Sequence, residues 1–180
     1  MKFDRLEKNI IDVLKEYQVK LGYQREKVRL YYPLGSLNHF FGTKENVQGM
    51  IELLKEFCEY TRDRLGKVDI SNVKERFCFL IPEDGVTYVH ENMKQDEFIK
   101  DLVELVQMHG CAIDTIKNLF IKYAGDESKV HFEKMNSDEF DYLIYFKENE
   151  EEPYYYCFKD EGCHIIYHRY LPEDYKEFGF

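Results

Sequence analysis

Tryptophan is absent from this chain of 180 residues, proline occurs four times and glycine ten. So few chain-breaking residues leave no room for a long flexible linker or a low-complexity tract. Nowhere do 18 apolar residues run together, which excludes an apolar spanning helix. The five cysteines, Cys58, Cys78, Cys111, Cys157 and Cys163, are odd in number and never spaced CxxC. They read as reduced thiols of a cytoplasmic protein rather than a disulfide framework or zinc site. The first residues, Met1 to Arg5, lead into charged helix instead of an apolar run, so no signal peptide is predicted. Missing too are the phosphate-cradling, dinucleotide, nucleophile-elbow and zincin strings, which leaves those common chemistries without support.

What remains is an ordered composition: 44% hydrophobic, 33% charged, with 15 Tyr and 14 Phe. Charge is divided unevenly. Residues 1–95 hold 16 Lys+Arg against 15 Asp+Glu, whereas residues 96–180 hold 9 against 20. The back half therefore repels phosphate and anionic lipid, while the front half is nearly neutral.

Apolar residues at helical spacing predict a first helix through Leu6, Ile10, Leu14 and Leu21, stopped at Gly22. A short helix follows over Ser36–Phe41, and Thr43 reads as the N-cap of a long one ending at Gly66. Phe77–Ile81 and Val86–Val89 read as two strands joined by the turn Pro82-Glu83-Asp84-Gly85. Two more helices end near Gly110 and at Gly125. The period then changes to two over 130–135, 142–147, 154–159 and 163–170, with short polar connections that imply antiparallel neighbours. The fold class expected is α+β: a winged-helix-like front domain over 1–94, then a helix pair and four-stranded antiparallel meander over 95–180.

The front half resembles a winged helix-turn-helix, with Thr43–Leu65 in the recognition position and Arg76–Val89 as the wing. Its long helix would turn outward Lys44, Glu45, Gln48, Glu52, Lys55, Glu56, Glu59, Arg62 and Asp63, more acidic than basic. Such a face is repelled by phosphate. The best candidates for nucleic-acid contact are Lys20, Arg25, Lys27, Arg29 and Lys44. For a protein partner they are Glu150, Glu151, Glu152 and Tyr155: an acidic run, read as a solvated hairpin loop where a basic partner could dock, beside an aromatic sheet face.

Of six histidines, His164 and His168 lie four apart on a predicted strand, hence about 13 Å apart and unable to share an ion. Cys157 could meet His164 across a turn, but the sequence shows no group to orient the base. No catalytic, metal or cofactor-binding residue is predicted. Alternation sends Tyr154 and Tyr156 to one sheet face and Tyr155 to the other. The apolar ending Phe178-Gly179-Phe180 predicts a tail that folds back.

Taken whole, the phrases Arg29-Leu30-Tyr31-Tyr32-Pro33, Arg76-Phe77-Cys78-Phe79, His109-Gly110-Cys111, Phe140-Asp141-Tyr142 and the segment from His168 resemble an uncharacterised bacterial family carrying only a domain-of-unknown-function label. That resemblance spans nearly the whole chain and implies no activity. The expectation is a cytoplasmic binding or regulatory protein acting through protein contacts, not an enzyme and without cofactor. The alternatives are a winged-helix transcription regulator and an enzyme with an unrecognised site.

Overall fold

The computed structural model describes residues 3–178, the side chain of Phe178 excepted, and divides into two compact units between Asp96 and Glu97. The first unit runs α1 (Asp4–Leu21), β1 (Val28–Pro33), α2 (Leu34–Phe41), α3 (Val47–Leu65), β2 (Asp69–Val73), β3 (Arg76–Ile81) and α4 (Glu83–Asn92). Its three strands are antiparallel in the order β1-β3-β2. This is the winged-helix-like half.

One face of that sheet is apolar because the strands alternate. Phe77, Phe79 and Ile81 of β3 are fully buried, Val28 and Tyr32 of β1 nearly so. They join α1's Leu6, Ile10 and Leu14 and α3's Met50, Leu54 and Phe57 in the core. Two polar contacts tie the helices and sheet together: Tyr32 donates to Asn9 Oδ1 (2.7 Å), and the Arg64 guanidinium forks onto the Glu7 carboxylate.

Three local expectations need correction. The long helix starts at Val47, not after Thr43; its N-cap is Asn46, whose side chain accepts from the Gly49 amide (2.9 Å). Thr43 instead donates to Asn38 Oδ1 (2.8 Å), which also accepts from the Glu45 amide and so holds the α2–α3 turn. The second correction concerns the wing. Val86–Val89 is not a strand but part of α4, and the hairpin is β2–β3, turning at Lys74 with φ 55°.

Val-Thr-Tyr-Val favours strand by composition, yet its surroundings reward helix. Glu83 and Asp84 lie in the first turn, where carboxylates favour the exposed amides. Val86 and Val89, three apart, are both buried on the inner face. Gln18 of α1 donates to the Val86 carbonyl (3.1 Å), and Tyr23 stacks on His90 at 3.9 Å. Tertiary contacts outweigh β-propensity here. The third correction is small: α2 begins at Leu34, two residues before Ser36.

The second unit comprises α5 (Glu97–Gln107), α6 (Ile113–Ala124), β4 (Val130–Lys134), β5 (Tyr142–Phe146), β6 (Tyr155–Asp160), β7 (Ile165–Tyr170) and α7 (Pro172–Phe178). The strands form an antiparallel meander in chain order. One sheet face carries Ile144, Phe146, Tyr156 and Phe158 against Phe98 of α5 and Phe120 of α6, mostly in edge-to-face ring contacts. The other face buries Phe140, Leu143 and Cys157, with Tyr145, Tyr155, Tyr170 and α7's Tyr175 packed around them. Through Tyr175, α7 thus packs back onto this face, whereas the side chain of Phe178 and all of Gly179 and Phe180, the ending expected to dock, lie outside the described residues.

Gly85 shows how tightly α4 meets α3. A Cβ there would overlap the Leu65 carbonyl, lying 2.7 Å from its carbon. Neither backbone can yield without moving a helix. Gly85→Ala is therefore expected to cost about 2 kcal/mol, read as a lower urea midpoint with unchanged slope.

Candidate functional site

The β5–β6 turn is built on Asn149. Its Oδ1 accepts from the amides of Glu151 (3.0 Å) and Glu152 (3.2 Å), and Glu148 takes φ 55° just before it. This side-chain cap folds a run of carboxylates into a tight turn and divides them. Glu150 and Glu151 are exposed, whereas Glu152 points inward and is 8% exposed.

Glu152 is thus not part of a solvated loop, as its sequence context suggests. Its Oε1 accepts from the Tyr156 hydroxyl (2.6 Å) and faces Arg169 Nη1 at 3.8 Å. The Arg169 guanidinium in turn lies 4.3 Å over the Tyr154 ring. A buried anion is tolerable only with such partners. Tyr154 and Tyr156 share this inner face, as alternation predicts, and are 3% and 0% exposed.

Tyr155 faces the other way. Its ring is nearly parallel to Tyr145, with centroids 4.1 Å apart; His131 stacks on Tyr145 at 4.6 Å, and Tyr175 meets Tyr155 edge-on at 5.2 Å. Beside this ladder opens a cavity of about 360 Å³. Tyr145 and Tyr155 contribute its aromatic wall, Pro153 and Pro172 its aliphatic one, and Glu148 and Glu150 its acidic rim. Burial, then the neighbouring Tyr155 phenol, pushes the Tyr145 hydroxyl above the ordinary tyrosine range, and burial does the same for Tyr175. Both phenols stay neutral near pH 7, so the charge of the cleft comes from its carboxylates. Aromatic faces beside carboxylates suit a cationic side chain, which gains from both.

Of the four residues expected to meet a protein partner, the structure brings Glu150 and Tyr155 to one cleft, leaves Glu151 exposed on the same turn and withdraws Glu152. Sequence reading missed Tyr145, Glu148, Pro153 and Pro172. Only Tyr145 had an available signal, one register step beyond the Ile144–Tyr156 pair.

The candidate nucleic-acid contacts are dispersed over several elements. Lys20, on the last turn of α1, pairs with Glu16 (2.7 Å), and Arg25 faces Glu83 at 3.8 Å. Lys27 and Arg29 are exposed before and on β1, and Lys44 in the α2–α3 turn. On the outer face of α3, Lys55 pairs with Glu52 (2.8 Å) and Arg62 with Glu59 (3.1 Å). A separate cavity of about 490 Å³ lies between α3 and β2, floored by Leu54, Val68 and Phe77. Burial, aided by Glu59 and Asp69, pushes its Cys58 thiol up to about 11.

The proposed Cys157–His164 encounter does not form. Cys157 is fully buried and stands opposite His168 in the β6–β7 register; burial pushes its thiol up to about 12. Such a thiol is inert near neutrality.

The chain belongs to the family described as "Domain of unknown function, E. rectale Gene description (DUF3877)", whose model matches residues 3–179. No curated protein and no solved structure matches it.

Splitting the acidic turn into a buried and an exposed part has a measurable consequence. Glu152→Ala strands Arg169 beside an empty site and is expected to cost about 3 kcal/mol in urea unfolding. Glu150→Lys and Glu151→Lys, both on the wet side, should change stability by less than about 0.5 kcal/mol.

Proposed function

We propose that the chain is a cytoplasmic protein-binding module that takes a lysine- or arginine-rich partner segment at the aromatic, acid-rimmed cleft of its second unit. The observation that carries this reading is the pairing of Glu148 and Glu150 with the Tyr145–Tyr155 ring stack around one cavity. A guanidinium laid on those rings would keep a carboxylate within reach. The surplus of carboxylates over residues 96–180 would draw a basic segment in and turn polyanions away.

The winged-helix-like unit serves this reading as a scaffold rather than a groove reader. Duplex binding needs cations offered to phosphate, and Lys55 and Arg62 on the outer face of α3 are engaged by glutamates three residues away.

Fluorescence anisotropy of the full chain against a labelled arginine-rich peptide tests the proposal, with a glutamate-rich peptide and a DNA duplex as comparisons. Saturable binding of the basic peptide alone is expected. Glu150→Lys or Tyr155→Ala should weaken it about tenfold, the loss of roughly 1.4 kcal/mol. Unchanged peptide affinity in both variants, or tight duplex binding at physiological salt, would overturn it.

A further inference from the structure

The opposite end of the same sheet carries an arrangement that the protein-binding reading does not use. The β6–β7 connection, Glu161–His164, turns through Gly162 at φ 85°. Its ends are tied by the Glu161 amide donating to the His164 carbonyl (3.0 Å). This brings three side chains into line. Cys163 Sγ lies 3.3 Å from His164 Nδ1, and His164 Nε2 lies 2.8 Å from Glu161 Oε2. All three residues are exposed.

The order of contacts fixes the chemistry. A carboxylate accepts only, so in the neutral ring the proton on Nε2 binds Glu161, which leaves Nδ1 as the acceptor facing the thiol. Nucleophile, base and base-orienting acid then stand in sequence, the relation by which a weak thiol is made reactive. The turn places Glu161 where it can orient the base.

We infer that Cys163 is a peroxide-reactive thiol, with His164 as its base and Glu161 as the residue that positions the base. Cys163 passes its proton to His164 Nδ1, and the thiolate attacks one oxygen of a hydroperoxide. The S–O bond forms as the O–O bond breaks, and the leaving oxygen recovers the proton from His164. Sulfur is oxidised by two electrons, the peroxide is reduced, and the products are a sulfenic acid and water or an alcohol. The Asp160 carboxylate at the start of this turn accepts from the Gly162 amide (2.8 Å). Cys111 directly follows Gly110, whose amide donates to the Cys163 carbonyl (3.0 Å).

The test treats the full chain, in a Cys111→Ser background that removes the neighbouring thiol, with hydrogen peroxide and a sulfenic-acid trap. Labelling at each cysteine is followed by mass spectrometry. Cys163 should label at least about tenfold faster than Cys58, Cys78 or Cys157; His164→Ala should remove that advantage and free imidazole should restore it. Glu161→Gln should slow labelling and move the His164 ring ¹⁵N resonances away from the Nε2-protonated form, with thermal stability unchanged. Labelling of Cys163 no faster than Cys78, no effect of His164→Ala, or unmoved ring resonances would overturn the assignment.

Discussion

A turn this acidic holds its shape because one of its carboxylates has been taken out of water. Glu152 is paired with Arg169 and hydrogen-bonded to Tyr156, and it anchors the first residue pair of β6 against the sheet. Desolvating an anion costs several kcal/mol, which the phenol and the guanidinium offset through contacts that the low local dielectric strengthens. With that anchor in place, Asn149 caps the turn, Glu150 is held at its rim and Tyr155 is aimed at Tyr145. The cleft is a by-product of satisfying a buried charge.

The first unit shows the opposite use of charge. On the outer face of α3, Lys55 and Arg62 are each engaged by a glutamate three residues earlier in the same helix, so the cations of this otherwise acidic face are already paired. Exposed pairs of this sort contribute little to stability. Their larger effect is on recognition, because a cation held by its neighbour must give up that contact before it can meet a phosphate.

Much of the architecture was legible in the chain. Every helix with a full apolar stripe could be read, and so could the meander, because both rest on burial of a periodic face. The failures are local and instructive. Val86–Val89 has the composition of a strand and the environment of a helix, and no short window contains Gln18 or Tyr23. The start of α3 was misplaced because Thr43 and Asn46 are both competent caps, and Asn38 decides between them from the preceding helix. At the site, Glu150 and Tyr155 could be named from composition, but not the inward turn of Glu152, which depends on an arginine seventeen residues away. The Cys163–His164–Glu161 line was visible as letters only. Its chemistry requires the tight turn that brings residues three apart face to face.

The stack of Tyr145 on Tyr155 has an optical corollary. Two identical chromophores nearly parallel at 4.1 Å couple their transition dipoles, and in a chain without tryptophan nothing stronger absorbs or emits over them. The stack therefore gives the protein a built-in near-ultraviolet circular dichroism signature, sensitive to anything that slides between or rests upon those rings. Occupancy can be followed without a dye, a tag or an engineered side chain.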